Sequence, residues 1–105
     1  MDMNNIMQQV ETIKKRLEEL RNELADIRVE GKDDDNIITA IVNGKGKVLD
    51  YSINLGQIGA LNKATLIKAV VDASNNALQS AREIEAEKRK EIIGDLNLPN
   101  LPGLF

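Results

Sequence analysis

With no histidine and no cysteine among its 105 residues, the chain has only carboxylates, lysines, arginines and hydroxyls with which to do chemistry. Imidazole acid–base catalysis, thiolate nucleophiles, disulfides and the usual zinc ligand sets are removed together. Asp33, Asp34 and Asp35 could offer oxygens to a divalent cation, but a calcium loop alternates its ligands around a central glycine and closes with a distant Glu. Three consecutive aspartates match a solvated turn instead. Gly44-Lys45-Gly46-Lys47 has the residue types of a phosphate cradle, yet it lacks Walker spacing and leads into an extended segment, not a helix N-terminus. No nucleophile is paired with a base, and no carboxylate dyad sits in an apolar context. The expectation is a non-enzymatic protein with neither metal nor cofactor.

Two basic clusters remain: Lys14, Lys15, Arg16 and Arg21 near the start, and Arg82 with Lys88, Arg89 and Lys90 near the end. Either could contact phosphates, or could keep a helix face soluble through i,i+4 pairs such as Glu11 with Lys15 and Glu85 with Arg89. Both regions are locally balanced in charge. The net charge of −3 comes mainly from the middle segment, where Glu30, Asp33, Asp34, Asp35 and Asp50 outnumber Lys32, Lys45 and Lys47. Since DNA affinity comes largely from neutralised phosphates, a duplex is expected to meet the helices and not the hairpin between them. One Tyr, one Phe and no Trp imply an aliphatic core, without the stacking platforms used on single-stranded nucleic acid.

The elements that must carry these residues follow from periodicity. Met3, Ile6, Val10, Ile13, Leu17, Leu20, Leu24 and Ile27 recur at alternating intervals of three and four, a heptad stripe that predicts one helix ~36 Å long. Such a stripe favours a partner helix over burial within the same small core. A parallel, in-register copy would bring Arg16 near Arg21 of the other chain, which favours an antiparallel or crossed arrangement. The period then shortens. Val29 to Gly31 reads as a short strand, Lys32 to Asn36 as a polar turn, and Ile37 to Val42 and Val48 to Ile53 as two strands around Asn43-Gly44, a strong hairpin signal because such turns need positive φ. Alternation sets Leu49, Tyr51 and Ile53 on one face of the sheet and Asp50 and Ser52 on the other, predicting one covered side and one wetter side.

After a loop containing Gly56 and Gly59, a second long helix is expected from Asn62, its N-cap, to Ile93, with Gly94 as its stop. Its buried stripe includes Leu66, Ala69, Val70, Ala73, Ala77, Ala81 and Ile84, and the alanines allow close approach by a helix or the sheet. Residues 1–94 are read as one α+β domain, and 95–105, rich in Leu and Pro, as an extended or mobile tail. The start, Met1 to Asn5, lacks a basic and apolar leader. No stretch approaches the ~20 apolar residues that cross a bilayer, so the expected location is cytoplasmic.

This order of elements resembles the YbaB/EbfC family of bacterial nucleoid-associated proteins. The resemblance is carried by Leu24-Ala25-Asp26-Ile27-Arg28-Val29-Glu30-Gly31, by Thr39-Ala40-Ile41-Val42-Asn43-Gly44 and by the Ala-rich helix from Ala69 to Ala81. It continues through Glu87 and Lys88 to Leu98-Pro99 and Leu101-Pro102-Gly103-Leu104-Phe105. It implies a long N-terminal helix, a three-stranded antiparallel sheet and a long C-terminal helix, assembled as a tweezer-like homodimer. The helical arms would bind duplex DNA in the nucleoid with limited sequence preference. Carried over, the DNA-contacting candidates are Lys14, Lys15, Arg16, Arg21, Arg82, Lys88 and Arg89. The dimer or helix-packing candidates are Val10, Ile13, Leu17, Leu20, Leu24, Ala73, Ala77 and Ala81. The competing reading is a protein-interaction module that grips another protein through the arms or the tail, with DNA irrelevant.

Overall fold

The computed structural model describes residues 3–58 and 62–95. Helix α1 spans Met3–Asp26, strands β1, β2 and β3 span Arg28–Lys32, Ile38–Asn43 and Val48–Ile53, a single turn α2 spans Leu55–Ile58, and helix α3 spans Lys63–Asp95. The sheet is an antiparallel meander in the order β1-β2-β3. Both long helices, the three strands and the α+β class are as the sequence predicts. The differences are a helical turn within the expected loop and a last helix that runs through Gly94. A lone glycine with open space around it weakens a helix without ending it. The Leu/Pro-rich segment from Leu96 onward lies outside the described residues.

Helix α3 starts where Asn62 caps it: its Oδ1 accepts from Thr65 N–H at 2.8 Å and its carbonyl from Leu66 N–H at 3.1 Å. Four alanines, Ala69, Ala73, Ala77 and Ala81, then form a smooth buried stripe that packs on Val29, Ile38, Ala40 and Val42 of β1 and β2. The close approach predicted for those alanines is made by the sheet, and Gly31 makes it possible. A Cβ on Gly31 would lie 2.6 Å from Ala77 Cα and 2.7 Å from Ala73 O. Beside it, Asn76 Nδ2 donates to Lys32 O at 2.7 Å and fixes the helix along the strand.

The heptad stripe of α1 divides in two. Its second half is buried within the chain: Leu20 and Leu24 cluster with Ile92, and Leu17, Ile27 and Ile84 pack around them. α3 runs past the sheet far enough to meet α1 antiparallel, with Leu24 near Glu85 and Leu20 near Ile92. Burial within the chain, against α3, therefore takes the second half of a stripe for which the periodicity favours a partner helix outside the core. Ile13 is buried too, Val10 is half-buried, and Met3 and Ile6 are exposed. The paired helices carry the molecule well beyond its sheet, to an overall length of 68 Å and a cross-section of 21 × 17 Å.

Strand β3 departs from expectation. Tyr51 and Ile53 do share the face that β2 turns toward α3, through the pairs Ala40 with Tyr51 and Ile38 with Ile53. That side is not covered at β3, however, because one helix is too narrow to span three strands. All six residues of β3 are exposed, Ile53 at 44%. The register slips between Ile41 and Val42, so that Asp50 and Val48 stand opposite these neighbours and Leu49 is the extra residue.

Candidate nucleic-acid interface

The basic residues sit on the two-helix arm and on the hairpin that abuts it. Along the α1–α3 seam two grooves open on opposite sides. The larger, about 370 Å³, is lined by Leu17, Leu20, Arg21 and Leu24 of α1, Glu85 and Arg89 of α3, and Lys45 from the β2–β3 hairpin. The other, about 150 Å³, is lined by Arg16, Glu19, Leu20, Glu23, Lys88, Glu91 and Ile92. Their charges differ in sign. On the first side three cations face one carboxylate, Glu85, already held by Arg89 in an i,i+4 ion pair. On the second, two cations face three carboxylates.

Helical spacing extends this contrast. Lys14 precedes Arg21 by seven residues, two turns, and Arg82 precedes Arg89 by the same interval, so each basic pair runs along one flank of its helix. Lys14, Lys15, Arg16, Arg21 and Arg82 are all exposed, whereas Lys88 and Arg89 are half-buried. Arg82 Nη2 donates to Gln79 Oε1 at 3.3 Å. The sequence candidates thus fall on more than one side of the arm. Among the packing candidates, Leu17, Leu20 and Leu24 join α1 to α3, while Ala73, Ala77 and Ala81 face the sheet.

Lys45 reaches the groove because its turn is fixed from several directions. The Asn43 side chain accepts from the Lys45 and Lys47 amides, each at 3.0 Å, and Gly46 takes the positive φ, 88°. The left-handed residue is therefore Gly46, and the loop is a three-residue turn, not a two-residue Asn-Gly turn. Gly44 has another duty: its amide donates to Leu24 O, at the end of α1, at 2.8 Å. A Cβ there would meet that same carbonyl oxygen at 2.8 Å. The hairpin is thereby bolted to the root of the arm, a placement that strand and turn signals alone do not encode.

The aspartate triplet is a structural turn. Asp33 is buried, and its carboxylate accepts from Ile38 N–H at 2.7 Å and from Asp35 N–H at 3.2 Å, while Asn36 takes a left-handed φ of 56°. Asp34 and Asp35 stay exposed beside Lys68. A hydrogen bond and the charge of Asp72 raise the Lys68 pKa above its ordinary value. No cluster of three metal-ligating side chains occurs among the described residues, and no helix among them is long and apolar enough to cross a membrane.

The profile of the YbaB/EbfC DNA-binding family matches residues 1–96. The chain belongs to that family. Its relatives include a nucleoid-associated protein of Clostridium kluyveri, 30% identical over 95% of this chain and 88% of its own length. A second nucleoid-associated protein, from Syntrophobacter fumaroxidans, is 31% identical over 96% of this chain and 94% of its own. In fold, this YbaB/EbfC chain is similar to the crystal structure of an uncharacterized protein from Helicobacter pylori. The TM-score is 0.70 at 18% identity, with 93% and 99% of the two chains covered.

Proposed function

We propose that this chain is a nucleoid-associated protein that binds duplex DNA as a homodimer, contacting phosphates through basic side chains of α1 and α3 and reading duplex shape more than base edges. The observation that carries the proposal is the match to a DNA-binding family over residues 1–96, joined to the placement of Arg21 and Arg89 across one groove of the arm. The names of the curated relatives support a location on the nucleoid, within the cytoplasm.

For the dimer, the occupant of the open face of β3 is a second copy of the chain. Val48, Tyr51 and Ile53 lie exposed there, and Tyr51 OH is 2.7 Å from Ser74 Oγ, which joins the strand to the flank of α3. Ile67 and Val71, seven and three residues before Ser74, continue the apolar surface along that helix and are also exposed. An apolar face of this extent is a common mark of an interface, and a two-fold dimer uses the same patch from both protomers. The opposite edge strand, β1, instead exposes Arg28, Glu30 and Lys32, a composition that discourages association.

Fluorescence anisotropy with several unrelated duplexes across a salt series tests the proposal. Binding is expected to all of them, with log affinity falling by about 0.9 per neutralised phosphate for each decade of salt. Arg21→Glu with Arg89→Glu should abolish it while sedimentation shows the dimer unchanged. Absence of binding to every duplex at low salt would overturn the proposal. The exposed Met3, Ile6 and Met7 on α1 favour a second reading, a protein-interaction module, whose grip would be nearly insensitive to salt.

A further inference from the structure

We infer that the phosphate-contacting surface is one-sided and includes the β2–β3 hairpin: Lys45 completes a backbone-phosphate site with Arg21 and Arg89, whereas Arg16 and Lys88 on the opposite groove lie outside it. This rests on the DNA-binding reading and adds to it a residue and a side.

The charge inventory carries the inference. A phosphodiester approaching the seam from the Lys45 side meets Arg21, Lys45 and the Arg89–Glu85 ion pair, and because Glu85 is the single carboxylate lining that groove, the groove keeps an excess of two cations. Lys14 and Arg82 extend the same flanks by two helical turns, with Glu18 between Lys14 and Arg21 on the flank of α1. A phosphodiester approaching from the other side meets Glu19, Glu23 and Glu91, and like-charge repulsion offsets what Arg16 and Lys88 would contribute. Separation of charge onto two sides also explains how an arm with balanced composition can present a cationic face. Because phosphates are spaced regularly, a useful contact set must hold its cations at fixed separations. The Gly44 N–H to Leu24 O bond and the Asn43 side-chain bonds to the Lys45 and Lys47 amides supply that rigidity.

Three variants read this by anisotropy: Lys45→Gln, Arg16→Gln with Lys88→Gln, and Lys63→Gln. The last makes the same single-charge change at the exposed start of α3. Thermal melts establish that each folds, as expected for exposed or half-buried side chains. Lys45→Gln should weaken binding to unrelated duplexes about three- to tenfold and lower the salt slope by about 0.9 for each arm engaged, about 1.8 for a dimer bound through both. Lys63→Gln and the Arg16/Lys88 pair should each stay within about twofold. Equal losses in Lys45→Gln and Lys63→Gln would overturn the inference, since net charge alone would then account for them. So would a larger loss in the Arg16/Lys88 pair than in Lys45→Gln. The two readings fail separately: if the unaltered protein binds no duplex, DNA binding itself is wrong, and if it binds but Lys45→Gln binds equally well, only the hairpin site is wrong.

Discussion

At the scale of single residues, the fold depends on two glycines and a carboxylate. Gly31 lets β1 touch the backbone of α3, so Gly31→Ala should cost about 3 kcal/mol, the upper end for overpacking, because the opposing atoms are main chain and cannot rotate away. Urea titration measures it as a lower midpoint, and an unshifted midpoint would show that α3 and β1 separate freely. Asp33→Ala should remove the acceptor for two amides and cost about 1–3 kcal/mol, whereas Asp34→Ala, at an exposed neighbour, should stay within about 0.5 kcal/mol. The contrast between these adjacent aspartates would separate a structural turn from a shared cation site. Neither glycine's duty was legible beforehand. A glycine in a strand and another in a turn are ordinary as sequence, and their meaning comes from Ala77 and Leu24, residues far from them along the chain.

At the scale of elements, periodicity located both long helices and all three strands, because a helix and a strand repeat their buried faces at different intervals. What it could not say was which surface each face meets. The stripe of α1 implied a partner without revealing that α3, extending beyond the sheet, would supply it for Leu17, Leu20 and Leu24. Likewise, Lys14 with Arg21 and Arg82 with Arg89 are heptad pairs visible in the sequence, but which flank of one helix adjoins which flank of the other is a tertiary fact. The divided stripe makes a prediction. Leu20→Ala should cost about 2–4 kcal/mol and speed amide exchange along both halves of the seam, while Ile6→Ala, in the exposed first turns, should cost less than about 0.5 kcal/mol. Equal costs at the two sites would mean that the whole of α1 is held in the same way.

At the scale of the whole molecule, alternation named the residues that share a face of β3 but could not show whether a layer lies on that face, since coverage depends on how many strands one helix can span. If a second copy supplies the layer, Ile53→Asp with Val71→Asp should yield a folded monomer by sedimentation equilibrium, with duplex affinity at least about tenfold weaker once only one arm engages. A dimer unchanged by both substitutions would move the interface elsewhere. The bond from Asn76 to Lys32 spans 44 positions, and the glycine contact beside it is as distant in sequence. The consequence concerns synthesis. β1 and β2 leave the ribosome with their apolar side bare, and the alanine helix that seals it is translated only later. Until it docks, the nascent meander has two open edges and an uncovered face, and loop closure sets the pace of the step that ends this exposure.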